Sequence, residues 1–179
     1  MDIIEELSGF SSKYRQSAPY AAKEIIHAGQ PLFDLVFDKA LLSEGVLSLR
    51  CIEACERAAR EKPEFIAKRK KELLKAFFSG PDKEHRYFQA GLIRHANLTK
   101  AEADKCAPVL YEWLKEEKVK GPKAAFLEAV IRLAVINPAL KGKAAVYINE
   151  ALSSKVPSYA ARARVVLKEL GMTGEFEAG

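Results

Sequence analysis

Small and apolar residues recur at helical spacing along almost the whole chain. In the segment 46–61 they lie three or four positions apart on one face, while charged residues such as Glu53 and Arg60 lie on another. This period is typical of an amphipathic α-helix. Sustained period-two alternation is missing, and no Asn-Gly or Asp-Gly hairpin turn occurs. The pattern therefore predicts an all-α fold.

Prolines and capping residues divide the periodic segments. Several prolines fall where a helix would begin, and Thr99 precedes Glu102 at the spacing of a capping box. Asp82 is a candidate N-cap, and Gly171 is a candidate C-terminal stop. The expected helices cover residues 2–9, 18–28, 31–42, 45–61, 63–79, 83–97, 100–118, 122–136, 138–153 and 157–170.

Basic residues recur at equivalent positions of the second helix in each of four pairs. Offsets of 37, 38 and 36 residues connect them. We call these four residues, Arg57, Arg94, Arg132 and Lys168, the basic ladder. The same offsets connect three columns of small or apolar residues: Ala54, Gly91, Ala129 and Val165; Cys55, Leu92, Val130 and Val166; and Ala59, Ala96, Ala134 and Leu170. One helix pair cannot bury its apolar face alone, so the pairs are expected to stack.

The segments 48–59 and 157–170 each resemble the second helix of a HEAT repeat. The stretch 31–170 resembles a group of small bacterial HEAT-like proteins without established function. The resemblance implies an α-α superhelix, a HEAT-like solenoid of about four helix pairs with N-terminal capping helices. We expect one domain over 1–179, with a cap at 1–30, repeats at 31–170 and a frayed tail at 171–179. The resemblance transfers no active site.

Composition and cysteine usage limit the cellular context. The N-terminal residues 1–7 are acidic and lack the basic and apolar regions of a secretory signal, and no apolar run is long enough for a membrane span. Three cysteines are present, and Cys51 and Cys55 lie on the small-residue face. We expect buried free thiols and a cytoplasmic protein with no membrane partner. The net charge of +5 permits an acidic partner without requiring one.

Motifs for catalysis and metal binding are missing from the sequence. His27, His85 and His95 form no zinc-ligand spacing, and we expect surface or capping roles for them. The chain has no P-loop, no G-x-G-x-x-G and no G-x-S-x-G motif. We therefore predict no metal, no cofactor and no serine nucleophile.

The basic ladder is the main site hypothesis. Second helices of HEAT-like stacks usually line the concave face, and arginine forks bind phosphates and carboxylates. The candidate ligand-binding residues are Arg50, Arg57, Tyr87, Arg94, Arg132, Arg164 and Lys168. The alternative is structural: Arg57 pairs with Glu53, Arg94 bonds to loop carbonyls, and Arg132 pairs with Glu128.

The function that we expect from the sequence is that of a non-enzymatic binding or adaptor module, with a protein, peptide or acidic ligand on the concave face. Nucleic-acid binding through the same ladder is the first alternative. An enzyme of the HEAT-like DNA glycosylase type is the second. It would need aromatics and an acid in the groove, whereas Trp113 is expected on a first helix, away from the groove. No oligomeric state is predicted.

Overall fold

The protein is all-helical throughout the residues that its computed structural model describes, which are 2–9, 17–172 and 174. In this part of the chain we find eleven α-helices and one 3₁₀-helix, Pro138–Leu140, and no strand. The α-helices are α1 (Ile3–Ser8), α2 (Ser17–Ala28), α3 (Gln30–Leu42), α4 (Gly45–Glu61), α5 (Pro63–Lys68), α6 (Lys70–Phe78), α7 (Lys83–Ile93), α8 (Lys100–Glu116), α9 (Lys120–Ile136), α10 (Lys141–Leu152) and α11 (Pro157–Glu169). They form two compact units, Met1–Asn97 and Leu98–Gly179.

Helix α4 is the centre of the first unit and packs against α1, α2, α3, α5 and α7. Small side chains on its inner face, Cys51, Ala54, Cys55 and Ala58, are fully buried and let the neighbouring helices approach closely. The predicted burial of the cysteines is confirmed, and all three thiols are free. Burial raises the pKa of Cys51 to about 12, so this thiol stays protonated and packs as a small apolar group.

Helix α9 has the same central place in the second unit, where it packs against α8, α10 and α11. Phe126 and Val130 are among its buried residues. Trp113 of α8 is buried with its ring centroid 5.5 Å from that of Phe126, so the single tryptophan packs in the core of this unit.

The observed helices differ from the expected ones at three places. The expected helix 63–79 is two helices that meet at Arg69. Helix α7 ends at Ile93, so Arg94 is its C-cap residue and not part of the helix as expected. The segment after Asn137 begins as a 3₁₀-helix before α10. Gly171 follows the C-cap residue of α11 and has a φ of 67°, the left-handed conformation that a glycine stop adopts, so the predicted stop is confirmed.

The ends of the chain are described in part. Residues 10–16 of the expected cap, and Met1, 173 and 175–179, lie outside the described residues, so most of the expected frayed tail is not described. Met172, which belongs to that tail, is buried, and its N–H donates to the Leu167 carbonyl at 2.8 Å. Among the described helices, none is long and apolar enough to cross a bilayer.

Thr99→Ala should lower the free energy of unfolding by about 1 kcal/mol. The Thr99 hydroxyl accepts from the Glu102 N–H, and the Glu102 carboxylate accepts from the Thr99 N–H, so the predicted capping box is present. Urea unfolding of the two proteins measures the difference. Thr99→Ser keeps the hydroxyl and is the matched control. An alanine variant as stable as the serine variant would contradict a contribution from the cap.

Candidate functional site

A pocket of about 490 Å³ opens in the first unit where four helices meet. Helices α3 and α6 end at it, and α4 and α7 begin at it. Its volume lies in the range of small-molecule sites. We call it the Ser48 pocket, after the buried serine in its lining. Because two helix C-termini and two N-termini meet there, their partial charges oppose each other. The side chains of the lining therefore decide its polarity.

A chain of hydrogen bonds connects three polar side chains of the pocket. The Ser48 Oγ lies 2.7 Å from the His85 Nε2, and the His85 Nδ1 lies 2.8 Å from the Asp82 Oδ1. The Ser48 hydroxyl also lies 2.6 Å from the carbonyl oxygen of Ala40, to which it can donate. Ser48 is on the second turn of α4, and His85 is on the first turn of α7. The chain therefore bridges the two helices.

The position of the Asp82 side chain is set by its bond to the backbone at the start of α7. Asp82 is the N-cap residue, as predicted, and accepts from the backbone N–H of His85 at 3.0 Å. This backbone bond lowers the pKa of the Asp82 carboxyl. An ionised Asp82 beside the Nδ1 favours the imidazole with a proton on Nδ1, which leaves Nε2 to face Ser48.

The pocket also contains an unpartnered acceptor. Gln89 is 4% exposed, and its Oε1 has no hydrogen-bond partner among the described residues. Buried amide oxygens are almost always paired, so an unpartnered oxygen on a residue that lines a cavity points to a donor from outside the protein. Glu44 and Asp82 add two exposed carboxylates, and no lysine or arginine is among the residues lining the pocket.

Exposed apolar side chains lie in the segments that form the mouth of the pocket. Leu41 lines the pocket and is partly exposed, and Leu42 beside it is 85% exposed. Val46 follows the lining residue Gly45, and Phe78 precedes the lining residue Ser79; both are about half exposed. Apolar groups next to a polar interior suit a ligand with a charged end and an apolar body.

The basic ladder is mostly engaged in ion pairs within each unit. In the first unit, Arg57 pairs with Glu53 at 2.9 Å on the surface. Arg94 pairs with Glu56 at 2.9 Å, and the two side chains are only 5% and 2% exposed. The Arg94 Nε also donates to the Gly91 carbonyl at 3.4 Å. The guanidinium of Arg94 is therefore buried against the Glu56 carboxylate.

The second unit repeats this use of a buried glutamate. Glu128 of α9 accepts from Arg132 of the same helix at 3.3 Å and from the Arg162 Nε of α11 at 3.1 Å. Arg132 also approaches Glu169 at 3.5 Å. Lys168 is exposed. That the basic ladder forms one binding surface remains a prediction.

The other candidate residues have separate surroundings. Arg50 donates to the backbone carbonyls of Leu7 and Gly9 and so connects α4 to the end of α1. Tyr87 is half-buried, with its ring at an edge-on angle to Phe88 at 5.0 Å. Arg164 is exposed on α11. Of the seven candidates, none lines the Ser48 pocket.

Sequence reasoning missed the pocket, although one signal pointed to it. Ser48 and His85 are 37 residues apart, the same offset that relates Arg57 to Arg94. Applied to polar residues as well as to arginines, this register would have paired the serine with the histidine.

The described residues contain no group of three or more histidine, cysteine or acidic side chains that could hold a metal ion. Comparisons of the chain with protein-family models, with curated proteins and with solved structures find no match.

Proposed function

We propose that this protein is a ligand-binding module and that its binding site is the Ser48 pocket. The observation that carries the proposal is an open cavity of about 490 Å³ that is lined in part by Gln89, a residue whose buried Oε1 has no hydrogen-bond partner among the described residues. A buried acceptor without a donor costs about 1–3 kcal/mol, and a ligand that donates to it recovers part of this cost.

The ligand that fits this pocket carries an ammonium group on an apolar body. Glu44 and Asp82 supply negative charge, the Gln89 Oε1 supplies an acceptor, and the lining contains no basic side chain to oppose a cation. The apolar body would lie against Leu41 and Val46 at the mouth. This preference is opposite in sign to the acidic ligand expected from the basic ladder.

The scaffold that we propose is a HEAT-like arrangement of helix pairs. Contacts between residues 37 positions apart support it in each unit: Ser48 with His85 between α4 and α7, and Arg132 with Glu169 at the end of α11. The column of Cys55, Leu92, Val130 and Val166 is buried throughout, as stacking requires. Val165 of a neighbouring column is 45% exposed, so the register is less regular on α11. A single superhelix of about four pairs stays a prediction of the sequence.

Benzylammonium should bind to the protein in preference to benzoate, and the double variant Glu44→Gln/Asp82→Asn should bind it about fivefold more weakly. Two exposed charge contacts are together worth about 1 kcal/mol, which corresponds to that factor. Calorimetric or NMR titration at low salt measures the affinities. Asparagine caps a helix as well as aspartate does, so the variant should keep α7 intact.

Glu84→Gln is the matched control, because Glu84 is exposed on the same turn of α7 but does not line the pocket. This variant should bind benzylammonium as the wild type does. Equal affinity for benzoate and benzylammonium, or an unchanged affinity in the double variant, would exclude the proposed ligand class.

A further inference from the structure

The Ser48 pocket contains the elements of a serine nucleophile. The hydroxyl of Ser48 is within hydrogen-bond distance of an imidazole nitrogen, and the other nitrogen of that ring is within the same distance of an ionised carboxylate. Nucleophilic catalysis needs this relation: a base that removes the hydroxyl proton and a third group that orients the base. Ser48 is 2% exposed, and the pocket is the cavity that it lines.

The hydroxyl proton of Ser48 has two alternative acceptors. When it is donated to the Ala40 carbonyl, the short Ser48–His85 contact requires a proton on the His85 Nε2. When His85 carries its single proton on Nδ1, toward Asp82, the hydroxyl can turn its proton to Nε2 instead. This second arrangement is the one that activates the oxygen. The two arrangements differ in the direction of the Ser48 O–H bond and in whether the His85 Nε2 carries a proton.

Donors for a developing negative charge are available at the start of α4. The first amides of a helix have no partner within the helix, and the Glu44 side chain does not cap them. Gly45, at the first position of α4, lines the pocket and lies three residues before Ser48. The amides at this helix start therefore lie within one turn of Ser48. They are suited to stabilise the oxyanion of a tetrahedral intermediate.

We propose that the Ser48 pocket hydrolyses carboxylic esters, with Ser48 as nucleophile, His85 as general base and acid, and Asp82 as a positioning residue. The preference for esters that carry an ammonium group rests on the proposed function; the hydrolysis itself does not. This activity departs from the non-enzymatic interpretation of the sequence.

The reaction proceeds in two balanced halves. The Ser48 oxygen bonds to the ester carbonyl carbon, and its proton passes to the His85 Nε2. The C–O bond to the alcohol then breaks, and His85 returns the proton to the leaving alkoxide, which leaves an acyl group on Ser48. A water molecule, deprotonated by His85, attacks the acyl carbon. The bond between the acyl carbon and the Ser48 oxygen then breaks, the carboxylic acid departs, and His85 returns the proton to the Ser48 oxygen.

A fluorophosphonate probe tests the nucleophile directly. Its phosphorus should bond to the Ser48 oxygen with loss of fluoride, and peptide mass spectrometry of the labelled wild-type protein should place the adduct on Ser48. Ser48→Ala should lose the adduct, and it should also reduce the hydrolysis of 4-nitrophenyl acetate by at least about 100-fold. His85→Gln should have a comparable effect. Glu84→Gln should be labelled and should hydrolyse the ester as the wild type does.

The variant Asp82→Asn distinguishes a positioning role of Asp82 in catalysis from its structural role as the N-cap of α7. The variant keeps the N-cap, so the unfolding midpoint should not change, whereas kcat should fall at least about tenfold because the Nδ1 proton is no longer held toward a carboxylate. An unchanged kcat would assign Asp82 to capping alone and overturn its positioning role.

The inference is overturned if the wild-type protein is not labelled, if the adduct lies on another residue, or if folded Ser48→Ala hydrolyses the ester at the wild-type rate. Mapping the adduct in the wild type does not depend on whether any variant folds. Benzylammonium titration of the same samples tells the two proposals apart: binding without labelling removes only the hydrolysis, and labelling without binding removes only the ligand preference.

Discussion

Replacing Glu56 with alanine should lower the free energy of unfolding by about 3–5 kcal/mol, a large fraction of the stability of a small protein. The Glu56 carboxylate is buried and accepts from the Arg60 Nε at 2.7 Å and from an Arg94 amino group at 2.9 Å. Arg94 is itself buried. Without Glu56, that guanidinium would keep its charge in a site without its carboxylate partner, and α4 would lose an ionic connection to the end of α7. Urea unfolding followed by circular dichroism measures the change.

Glu53→Ala is the matched control for this prediction. Glu53 lies one turn earlier on α4 and also pairs with an arginine four residues later, but its side chain is 27% exposed, whereas that of Glu56 is 2% exposed. Its loss should cost only a few tenths of a kcal/mol. The double variant Glu56→Leu/Arg94→Leu should recover most of the stability, because it removes both buried charges. If Glu56→Ala costs no more than Glu53→Ala, burial does not strengthen this ion pair.

The helices themselves were predictable because their ends carry local signals. The capping box at Thr99 and the N-cap at Asp82 act within one turn, so the sequence alone locates them. The division at Arg69 had no such signal. Its guanidinium reaches Asp34 at 3.2 Å and lies 5.2 Å from the ring centre of Phe37, both on α3. Those contacts join residues more than 30 positions apart, and the helical period of 63–79 does not encode them.

The site was less predictable, because its residues meet across helices rather than along them. A search for linear motifs correctly finds none around Ser48, since His85 and Asp82 belong to another helix. The arginines present the opposite case. Sequence spacing identified Arg57 and Arg94 as equivalent, yet one is exposed and the other is buried. The difference depends on Glu56, whose burial requires space on the neighbouring helix.

Gly91 provides that space, and Gly91→Ala should therefore destabilise the protein by about 1–3 kcal/mol. A Cβ atom at this position would lie 2.5 Å from the Glu56 Cγ and 2.6 Å from its Oε1. Alanine in a helix interior is otherwise favoured over glycine by about 1 kcal/mol. The overlap outweighs this gain because two arginines hold the Glu56 carboxylate, so that it cannot move aside freely. Gly91→Leu adds three more carbons to the same space and should cost at least as much.

Gly142→Ala is the matched control, and it should change the free energy of unfolding in the opposite direction. Gly142 is on α10, where an added Cβ would meet nothing within 4 Å, so alanine should stabilise by up to about 1 kcal/mol. The cause of the Gly91 effect can be tested in the Glu56→Ala background, where the overlapping atoms are gone. There, Gly91→Ala should become neutral or stabilising, and the cycle should give a coupling energy of about 1–3 kcal/mol. Additive effects of the two substitutions would mean that the Glu56 side chain does not occupy the space beside Gly91.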